Sequence, residues 1–473
     1  MASLASSNTH AGETKEESGN SGAMVPSLDE ASLLAIIKLA KEENDCRGVV
    51  DAMREGRSSE VVLGKSIEAV ASLCENRDDR AEAHRVMFSK TLGGIPLLLE
   101  VMREHKGSEE IARVSFLAVS HLAHNEDMIR IFGESGGIPL LLEMLEEHGE
   151  RIGGASSEVA KNGLIALMNL AINDDTSKRI GEAGGIAIIL SMMEEHGASN
   201  AGVAENGCGA LKNLACGNAN NKKRIGEAGG IAIILSMMKE HRASNTGVAF
   251  QGFGALLNLA YNTDNKKRIA EAGGIAMILS MMKENGASNA FIAEKGCAAL
   301  NNLALDDDNK KRIGEAGGIA MILSMMEVHG ALNAKIALYG CAALRGLANN
   351  ASNKQIIGEA GGIGMIVRMM EVHGASDAVV AEFGCGALWG LAHNNADNKR
   401  KILAANGVSM VERMKSTWAS NERVQTYANG ALGKLQAGGS AGETKSNSMI
   451  AGATTVSFQS LKVSIFCFPS FYF

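Results

Sequence analysis

The chain has 473 residues, of which 46% are apolar and only 4% aromatic, with four prolines and a formal net charge of −7. So few prolines and aromatic residues argue against an all-β fold or an ordinary multidomain enzyme. The acidic balance argues against nucleic acid as the main partner, because no net basic field attracts a phosphate backbone.

Residues 1–29 are rich in Ser, Gly, Glu and Asn and show no hydrophobic periodicity. This composition predicts a disordered leader. The segment lacks the basic start and apolar run of a secretory signal, and Ala2 follows the initiator where myristoylation needs glycine. We therefore expect a cytoplasmic or nuclear location, or both.

The sequence then repeats itself. The block RIGEAGGIAIILSMM at residues 179–193 recurs unchanged at residues 224–238, and with one or two substitutions from Arg268 and from Arg312. The second glycine of the block recurs at gaps of 43 to 48 residues, at Gly48, Gly94, Gly137, Gly185, Gly230, Gly274, Gly318, Gly362 and Gly407. This period predicts a solenoid, in which each repeat buries its apolar face against its neighbours.

One repeat shows three predicted helices. A short charged helix (NKKRIGEA, residues 221–228) ends at a glycine pair, and a second helix (IAIILSMMKEH, residues 231–241) is apolar nearly all round. A third helix (VAFQGFGALLNLAY, residues 248–261) has apolar residues at helical spacing. A left-handed capping residue is predicted after each third helix, at Asn125, Asn173, Gly217, Asn262, Asp306, Asn350 and Asn394.

The first helix of most repeats opens with a basic cluster, at residues 178–179, 222–224, 266–268, 310–312 and 399–401. A glutamate follows four residues after Lys178, Lys223, Lys267 and Lys311. This spacing allows ion pairs along the helix, which predicts a solvated structural face. A site for acidic or phosphorylated segments is the alternative, because the basic residues outnumber these acids.

Histidine ends the second helix in six repeats, at His105, His148, His196, His241, His329 and His373. An imidazole at a helix C-terminus can bond the last carbonyls, so we predict helix capping. A pH-sensitive role and a metal site are the alternatives. Rings spaced about 10 Å apart do not converge on one metal ion, and neither a metal nor another cofactor is predicted.

Four of the eight cysteines share one position of the third helix: Cys208, Cys297, Cys341 and Cys385. A spacing of about 10 Å between repeats exceeds the reach of a disulfide, and no spacing typical of a zinc site occurs. These thiols are predicted to be reduced core residues.

A short helix, a glycine pair, a long apolar helix and a third helix ending in ALxNLA together resemble the armadillo repeat. The resemblance covers roughly residues 34–436 and includes the third-helix segments GCGALKNLA, QGFGALLNLA and KGCAALNNLA. It implies an all-α, right-handed superhelical solenoid of about nine three-helix repeats. The predicted boundaries are a leader at residues 1–29, the solenoid at residues 30–436, and a linker with an aromatic tail at residues 437–473.

Proteins of the armadillo family bind extended peptides on the concave face formed by the third helices, where an asparagine ladder bonds the peptide backbone. The matching residues are Asn169, Asn213, Asn258 and Asn302. An amide both donates and accepts, so this resemblance implies a peptide groove in the central repeats. A buried or stacked ladder without a ligand is the alternative. The nuclear-import receptors of the family carry a tryptophan four residues earlier, and Ile165, Gly209, Gly254 and Ala298 stand there instead.

The residue immediately before the ladder varies within otherwise similar helices: Ser120, Met168, Lys212, Leu257, Asn301, Arg345 and Trp389. Variation at one position predicts a surface site that sets ligand specificity, with drift on a solvent face as the alternative. Arg345 and Trp389 belong to types enriched in binding hot spots. The predicted partner-binding residues are the four ladder asparagines with Lys212, Leu257, Asn301, Arg345 and Trp389.

Beyond residue 436 the repeat stops, and a linker-like stretch leads to FQSLKVSIFCFPSFYF at residues 458–473. Lys462 and Pro469 interrupt this segment, which is also too short to span a bilayer. Two interpretations remain open: a terminal anchor for a partner or membrane surface, and translated non-native sequence.

We therefore expect a monomeric interaction scaffold without catalytic residues, which binds a protein or peptide segment on its concave face. The alternative is an adaptor or regulatory subunit of a ubiquitin-ligase or kinase complex, whose catalytic part lies on another chain.

Overall fold

A computed structural model describes residues 28–149, 154–241 and 245–436. Within these ranges the chain forms 27 α-helices and no strand, and consecutive helices group by three into nine repeats. The predicted all-α solenoid is therefore confirmed. The predicted leader up to residue 27, the linker and the aromatic tail lie outside the described residues.

Each repeat contributes three consecutive helices. The first four repeats contain α1 Glu30–Glu43, α2 Cys46–Glu55, α3 Glu60–Leu73, α4 Asp79–Val86, α5 Gly94–Glu104, α6 Glu109–Leu122, α7 Glu126–Glu134, α8 Gly137–Gly149, α9 Gly154–Leu170, α10 Asp174–Glu182, α11 Gly185–His196 and α12 Ala201–Ala215. A π-helical turn, Met87–Thr91, extends α4. The last five repeats contain α13 Ala219–Glu227, α14 Gly230–Glu240, α15 Thr246–Leu259, α16 Thr263–Glu271, α17 Gly274–Asn285, α18 Ala290–Leu303, α19 Asp307–Glu315, α20 Gly318–His329, α21 Ala334–Leu347, α22 Ala351–Glu359, α23 Gly362–His373, α24 Ala378–Ala392, α25 Ala396–Ala404, α26 Gly407–Thr417 and α27 Glu422–Gln436.

Polar residues between repeats begin the first helices rather than end the third ones. The Asn262 side chain accepts a bond from the Asn265 amide, and its φ of −88° is not left-handed. The left-handed prediction is likewise wrong at Asn125, Asn173, Asp306 and Asn350, which also act as N-caps. It holds at Gly217 and Asn394, with φ of 63° and 52°, where the third helix is one residue longer. Asparagine suits both roles, so its type alone does not distinguish them.

The glycine pair works as two different residues. Gly229 has a φ of 81°, which turns the chain between the first two helices. Gly230 begins α14, and a Cβ on it would lie 2.7 Å from Ile225 Cγ2 and 2.9 Å from the Ile225 carbonyl oxygen. The pair therefore permits a tight angle between the helices that no larger side chain would allow.

Methionine and glycine pairs hold the second helix against the third. A Cβ on Gly207 would lie 2.4 Å from Met193 Cγ, and the same contact recurs between Met238 and Gly252. The cysteines at positions 208, 297, 341 and 385 are fully buried, which confirms that they are core residues. Burial raises the pKa of the Cys208 thiol to about 12.

A column of first-helix asparagines, which sequence reasoning missed, joins each repeat to the one before it. These side chains are at most 2% exposed: Asn221, Asn265, Asn309, Asn353 and Asn398. Each Nδ2 atom donates to a backbone carbonyl of the preceding first helix, as Asn265 does to Lys222 at 2.8 Å. The pattern was visible in the recurring NKK motif, but the exposed lysines beside it suggested a solvated face.

The histidines cap a different helix from the one predicted. Each Nε2 atom bonds a carbonyl at the end of the preceding repeat's second helix, with distances of 2.5 to 2.7 Å, at His148, His196, His241, His329 and His373. A carbonyl only accepts, so Nε2 carries the proton. In the last repeat the Trp418 indole donates to the Gly374 carbonyl at 2.7 Å instead. The predicted capping is therefore made between repeats, and the helix that carries each histidine is not the one it caps.

Candidate partner-binding surface

The third helices form the inner side of the solenoid. Third helices of adjacent repeats contact each other along much of their length, whereas second helices meet their counterparts at only a few positions. The closely packed layer lies on the concave side of a curved stack. In α15 the exposed and half-buried residues form one stripe, Gly247, Phe250, Gly254 and Tyr261, spaced by three, four and seven residues. The inner surface is therefore one helix stripe wide in each repeat.

The ladder asparagines lie in this stripe but do not face solvent. Their exposed fractions are 9% for Asn169 and Asn213 and 4% for Asn258 and Asn302. Each of the first three amide nitrogens donates to the preceding third helix: Asn169 to Ser120 O at 2.9 Å, Asn213 to Met168 O at 2.8 Å, and Asn258 to Lys212 O at 2.9 Å. The expectation that these amides are exposed is wrong, because last-turn carbonyls of the neighbouring helix need donors.

Asn302 differs from the other ladder residues. No acceptor among the described residues takes a hydrogen bond from its Nδ2 atom within ordinary geometry. Its oxygen accepts a weak bond from Asn301 Nδ2 at 3.4 Å. The ladder therefore stops between α15 and α18, where the two third helices also contact each other less extensively than neighbouring pairs do.

The position before the ladder is mostly interior, contrary to the prediction of a surface. Leu257 is 1% exposed, Asn301 5% and Lys212 7%. Lys212 Nζ donates to Gln251 Oε1 at 2.8 Å. Burial lowers the pKa of Lys212 to about 8, and the nearby charge of Lys295 adds to this effect. Variation here reflects how each repeat fills the space beside the next helix.

Arg345 and Trp389 belong to a cluster inside the last three repeats. Arg345 Nη2 donates to the Tyr427 hydroxyl at 2.7 Å, and Trp389 lies 6.1 Å from the Tyr427 ring. Glu382 accepts from Arg423 at 2.7 Å, and burial raises its pKa despite both arginines. These side chains are half-buried and have partners within the chain, so their predicted role as free anchors is not what the geometry shows.

An apolar stripe, which the sequence reasoning missed, runs along the inner surface three residues after each ladder position. It consists of Ile172, Cys216, Tyr261 and Leu305 in four consecutive repeats. Ile172 and Tyr261 are 40% exposed and Leu305 is 45% exposed, while Cys216 is half-buried. The signal was the change of residue type at this position, which was read as the end of a helix rather than as a surface.

A second apolar feature lies at the other end of the same helices. The rings of Phe250 and Phe291 stack with centroids 4.2 Å apart. Lys212 Nζ lies 5.8 Å from the Phe250 centroid and Lys295 Nζ lies 5.2 Å from that of Phe291. Phe250 is 42% exposed, so the stack presents an aromatic edge flanked by cations to the inner surface.

A lysine column, Lys222, Lys266, Lys310 and Lys354, borders the apolar stripe. Lys222 Nζ lies 5.5 Å from the Tyr261 ring centroid, and Lys354 Nζ donates to the carbonyl of His393, which stands at the stripe position. Burial lowers the pKa of Lys222, Lys266 and Lys354. Further out on the first helices, the predicted pairs Lys223–Glu227 and Lys311–Glu315 form at 3.8 Å.

Features of other functional classes were sought in the part of the chain that the structure describes. No group of three or more His, Cys, Asp or Glu side chains there is placed to hold a metal ion. No helix of the described ranges has the length and apolar character needed to cross a membrane.

No protein-family model and no curated protein matches the sequence. Among solved structures, an engineered protein from the Northeast Structural Genomics Consortium is similar over 86% of this chain and 99% of its own, at 21% identity and a TM-score of 0.67. A structure concerned with a phosphorylation switch in the interaction between cadherin and beta-catenin is similar over 87% of this chain and 98% of its own, at 15% identity and a TM-score of 0.50. A designed armadillo repeat protein covers 52% of this chain and 99% of its own, at 19% identity and a TM-score of 0.47. The chain has an armadillo-repeat-like fold.

Proposed function

We propose that the protein is a non-catalytic scaffold that binds an extended segment of a partner protein along the inner surface of its central repeats. The observation that carries this proposal is the apolar stripe. Side chains as large as Ile172, Tyr261 and Leu305 are 40% to 45% exposed at one position of nearby repeats. A contiguous apolar surface with polar borders is typical of an interaction site.

The surroundings of the stripe indicate what such a segment contains. Apolar or aromatic side chains suit the stripe, and acidic residues suit the lysine column beside it. Repeats lie about 10 Å apart, and an extended chain rises about 3.3 Å per residue, so about three ligand residues span one repeat. A ligand is therefore expected to carry apolar residues at about this spacing, with acidic residues among them.

In this proposal the ladder asparagines position the third helices that display the stripe. Their amide nitrogens bond the protein's own backbone, so specificity lies with the stripe, the lysine column and the Phe250–Phe291 stack. We further propose that the scaffold is monomeric and acts in the cytosol or nucleus.

Selection of peptides tests this proposal. The full chain is immobilised and used to select binders from a displayed random-peptide library, and the dissociation constants of synthetic copies are measured by fluorescence anisotropy. Covering one partly exposed side chain of this size contributes on the order of 1 kcal/mol. The double change Tyr261→Ser and Leu305→Ser is therefore expected to weaken binding roughly thirtyfold.

The matched control changes two apolar side chains away from the third helices. Val328 and Leu332 are 49% and 94% exposed, and Val328→Ser with Leu332→Ser is expected to leave the dissociation constant within about twofold. Selected peptides that bind both variants equally, or that lose binding only with the control pair, would show that the stripe is not the site. Partners recovered with the intact stripe also distinguish a general scaffold from a dedicated adaptor of a ligase or kinase.

A further inference from the structure

The chain leaves the solenoid on the apolar stripe. The last helix, α27, is a third helix and ends at Gln436. Lys434 stands at the ladder position of this helix, so Ala437 occupies the position that Tyr261 and Leu305 hold in earlier repeats. The 37 residues from 437 to 473 therefore begin on the inner surface, in line with the stripe.

We propose that the aromatic tail, residues 458–473, folds back along the inner surface and covers the apolar stripe from Leu305 to Cys216. The inference rests on the proposed function, since the tail and a partner segment would share one surface. The tail would then act as a built-in competitor that sets the affinity for any partner.

The length of the chain permits this arrangement. With repeats about 10 Å apart, Leu305 lies three repeats from Ala437, or about 30 Å, and Cys216 lies five repeats away, or about 50 Å. The 21 residues from 437 to 457 reach as far as about 70 Å when extended. The aromatic tail can therefore reach the stripe with slack and then run along it.

The chemistry of the two surfaces matches. The tail holds six aromatic residues and a single charged side chain, at Phe458, Lys462, Phe466, Phe468, Phe471, Tyr472 and Phe473. The stripe offers exposed apolar side chains and, at Lys222, a cation already 5.5 Å from an aromatic ring. Because both surfaces belong to one chain, their effective concentration is in the millimolar range, which allows weak contacts to form.

Native cysteines report on this contact. Six of the eight cysteines are buried in the core: Cys46, Cys74, Cys208, Cys297, Cys341 and Cys385. Burial raises the pKa of these thiols, which slows their oxidation. The other two are Cys216, half-buried within the stripe, and Cys467, in the middle of the tail.

The test oxidises the full chain, first fully reduced, with diamide at low micromolar protein concentration and maps disulfides by mass spectrometry. We expect a Cys216–Cys467 bond within one chain, formed at a rate independent of protein concentration. The tail change Phe466→Ser, Phe468→Ser and Phe471→Ser keeps Cys467 and the linker length, and should slow this reaction at least tenfold. Tyr261→Ser with Leu305→Ser should do the same, while Val328→Ser with Leu332→Ser should not, and circular dichroism confirms that each variant is folded.

Three results would overturn the inference: absence of the Cys216–Cys467 bond, an equal rate in the tail variant, or a rate that rises in proportion to protein concentration. The last would assign the stripe to the tail of a second copy. The selected peptides separate this failure from failure of the proposed function. If the function holds and the tail inference fails, the tail variant binds them with unchanged affinity while the stripe variant loses them; if both hold, the tail variant binds more tightly than the unaltered chain.

Discussion

The ladder asparagines are predicted to matter for stability. In the last turn of α9, Leu167 O accepts from the Ala171 amide at 2.9 Å and Asn169 O from the Ile172 amide at 3.2 Å. Met168 O lies between them and accepts from Asn213 Nδ2 at 2.8 Å. The change Asn213→Ala removes that donor and leaves a buried carbonyl without it. Such a loss costs about 1 to 3 kcal/mol.

The matched control is Asn302→Ala. Both residues stand at the ladder position and are nearly buried, but no acceptor in the described ranges takes a bond from Asn302 Nδ2. Removing a buried amide group that lacks a strong partner is expected to leave stability within about 0.5 kcal/mol, or to raise it. The two variants therefore make the same chemical change at equivalent positions with different expected results.

Hydrogen exchange followed by mass spectrometry is the preferred measurement. A repeat protein opens locally, and a loss of about 1.5 kcal/mol should speed exchange at the C-terminal end of α9 about tenfold. If the whole solenoid melts as one unit, the melting temperature would fall by only about 2 °C. Equal exchange in both variants, or weaker peptide binding by Asn213→Ala without faster exchange, would refute this reasoning and restore the asparagines to an exposed binding role.

Three further predictions follow from the internal packing. The pKa of Lys212 is about 8 in the folded chain against 10.5 for the free side chain; the folded chain loses this proton first, so unfolding free energy should rise between pH 8 and 10.5 relative to Lys212→Met, and parallel urea midpoints across that range would contradict it. His241→Phe removes a 2.6 Å bond to the preceding repeat and should cost about 1 kcal/mol in urea unfolding; no measurable loss would show that the column contributes nothing. Gly230→Ala should destabilise markedly because its Cβ would meet Ile225 backbone, whereas Gly226→Ala should be tolerated because Ala270 stands at the same position; equal melting temperatures for the two variants would oppose this.

The repeat, its helices and its core were predictable because they depend on local patterns. The predicted second helix at residues 231–241 is observed as Gly230–Glu240, and the predicted third helix at residues 248–261 as Thr246–Leu259. Hydrophobic periodicity and glycine punctuation determine these elements within a few residues of chain. The armadillo-like fold then follows from stacking identical units.

The candidate site was less predictable, because a repeated polar residue fits two opposite roles. Asn258 looks alike in the sequence whether its amide faces a ligand or the Lys212 carbonyl of the next helix. The choice depends on how close neighbouring third helices lie, which depends on small residues such as Gly254 in the same column. Conversely, Tyr261 and Leu305 lie just past helix ends, and only the folded stack shows that they line up on one surface.

The bonds between repeats all run in one direction, from a side chain to the backbone of the unit before it, as from Asn265 to Lys222 and from His241 to Gly197. Each unit thus arrives with the donors its predecessor needs and leaves open the acceptors its successor will use. A copied unit inserted anywhere in the array finds both requirements met without further mutation. Unequal recombination can therefore lengthen or shorten this gene by whole units, and the identical blocks at residues 179–193 and 224–238 are what a recent duplication of this kind leaves behind.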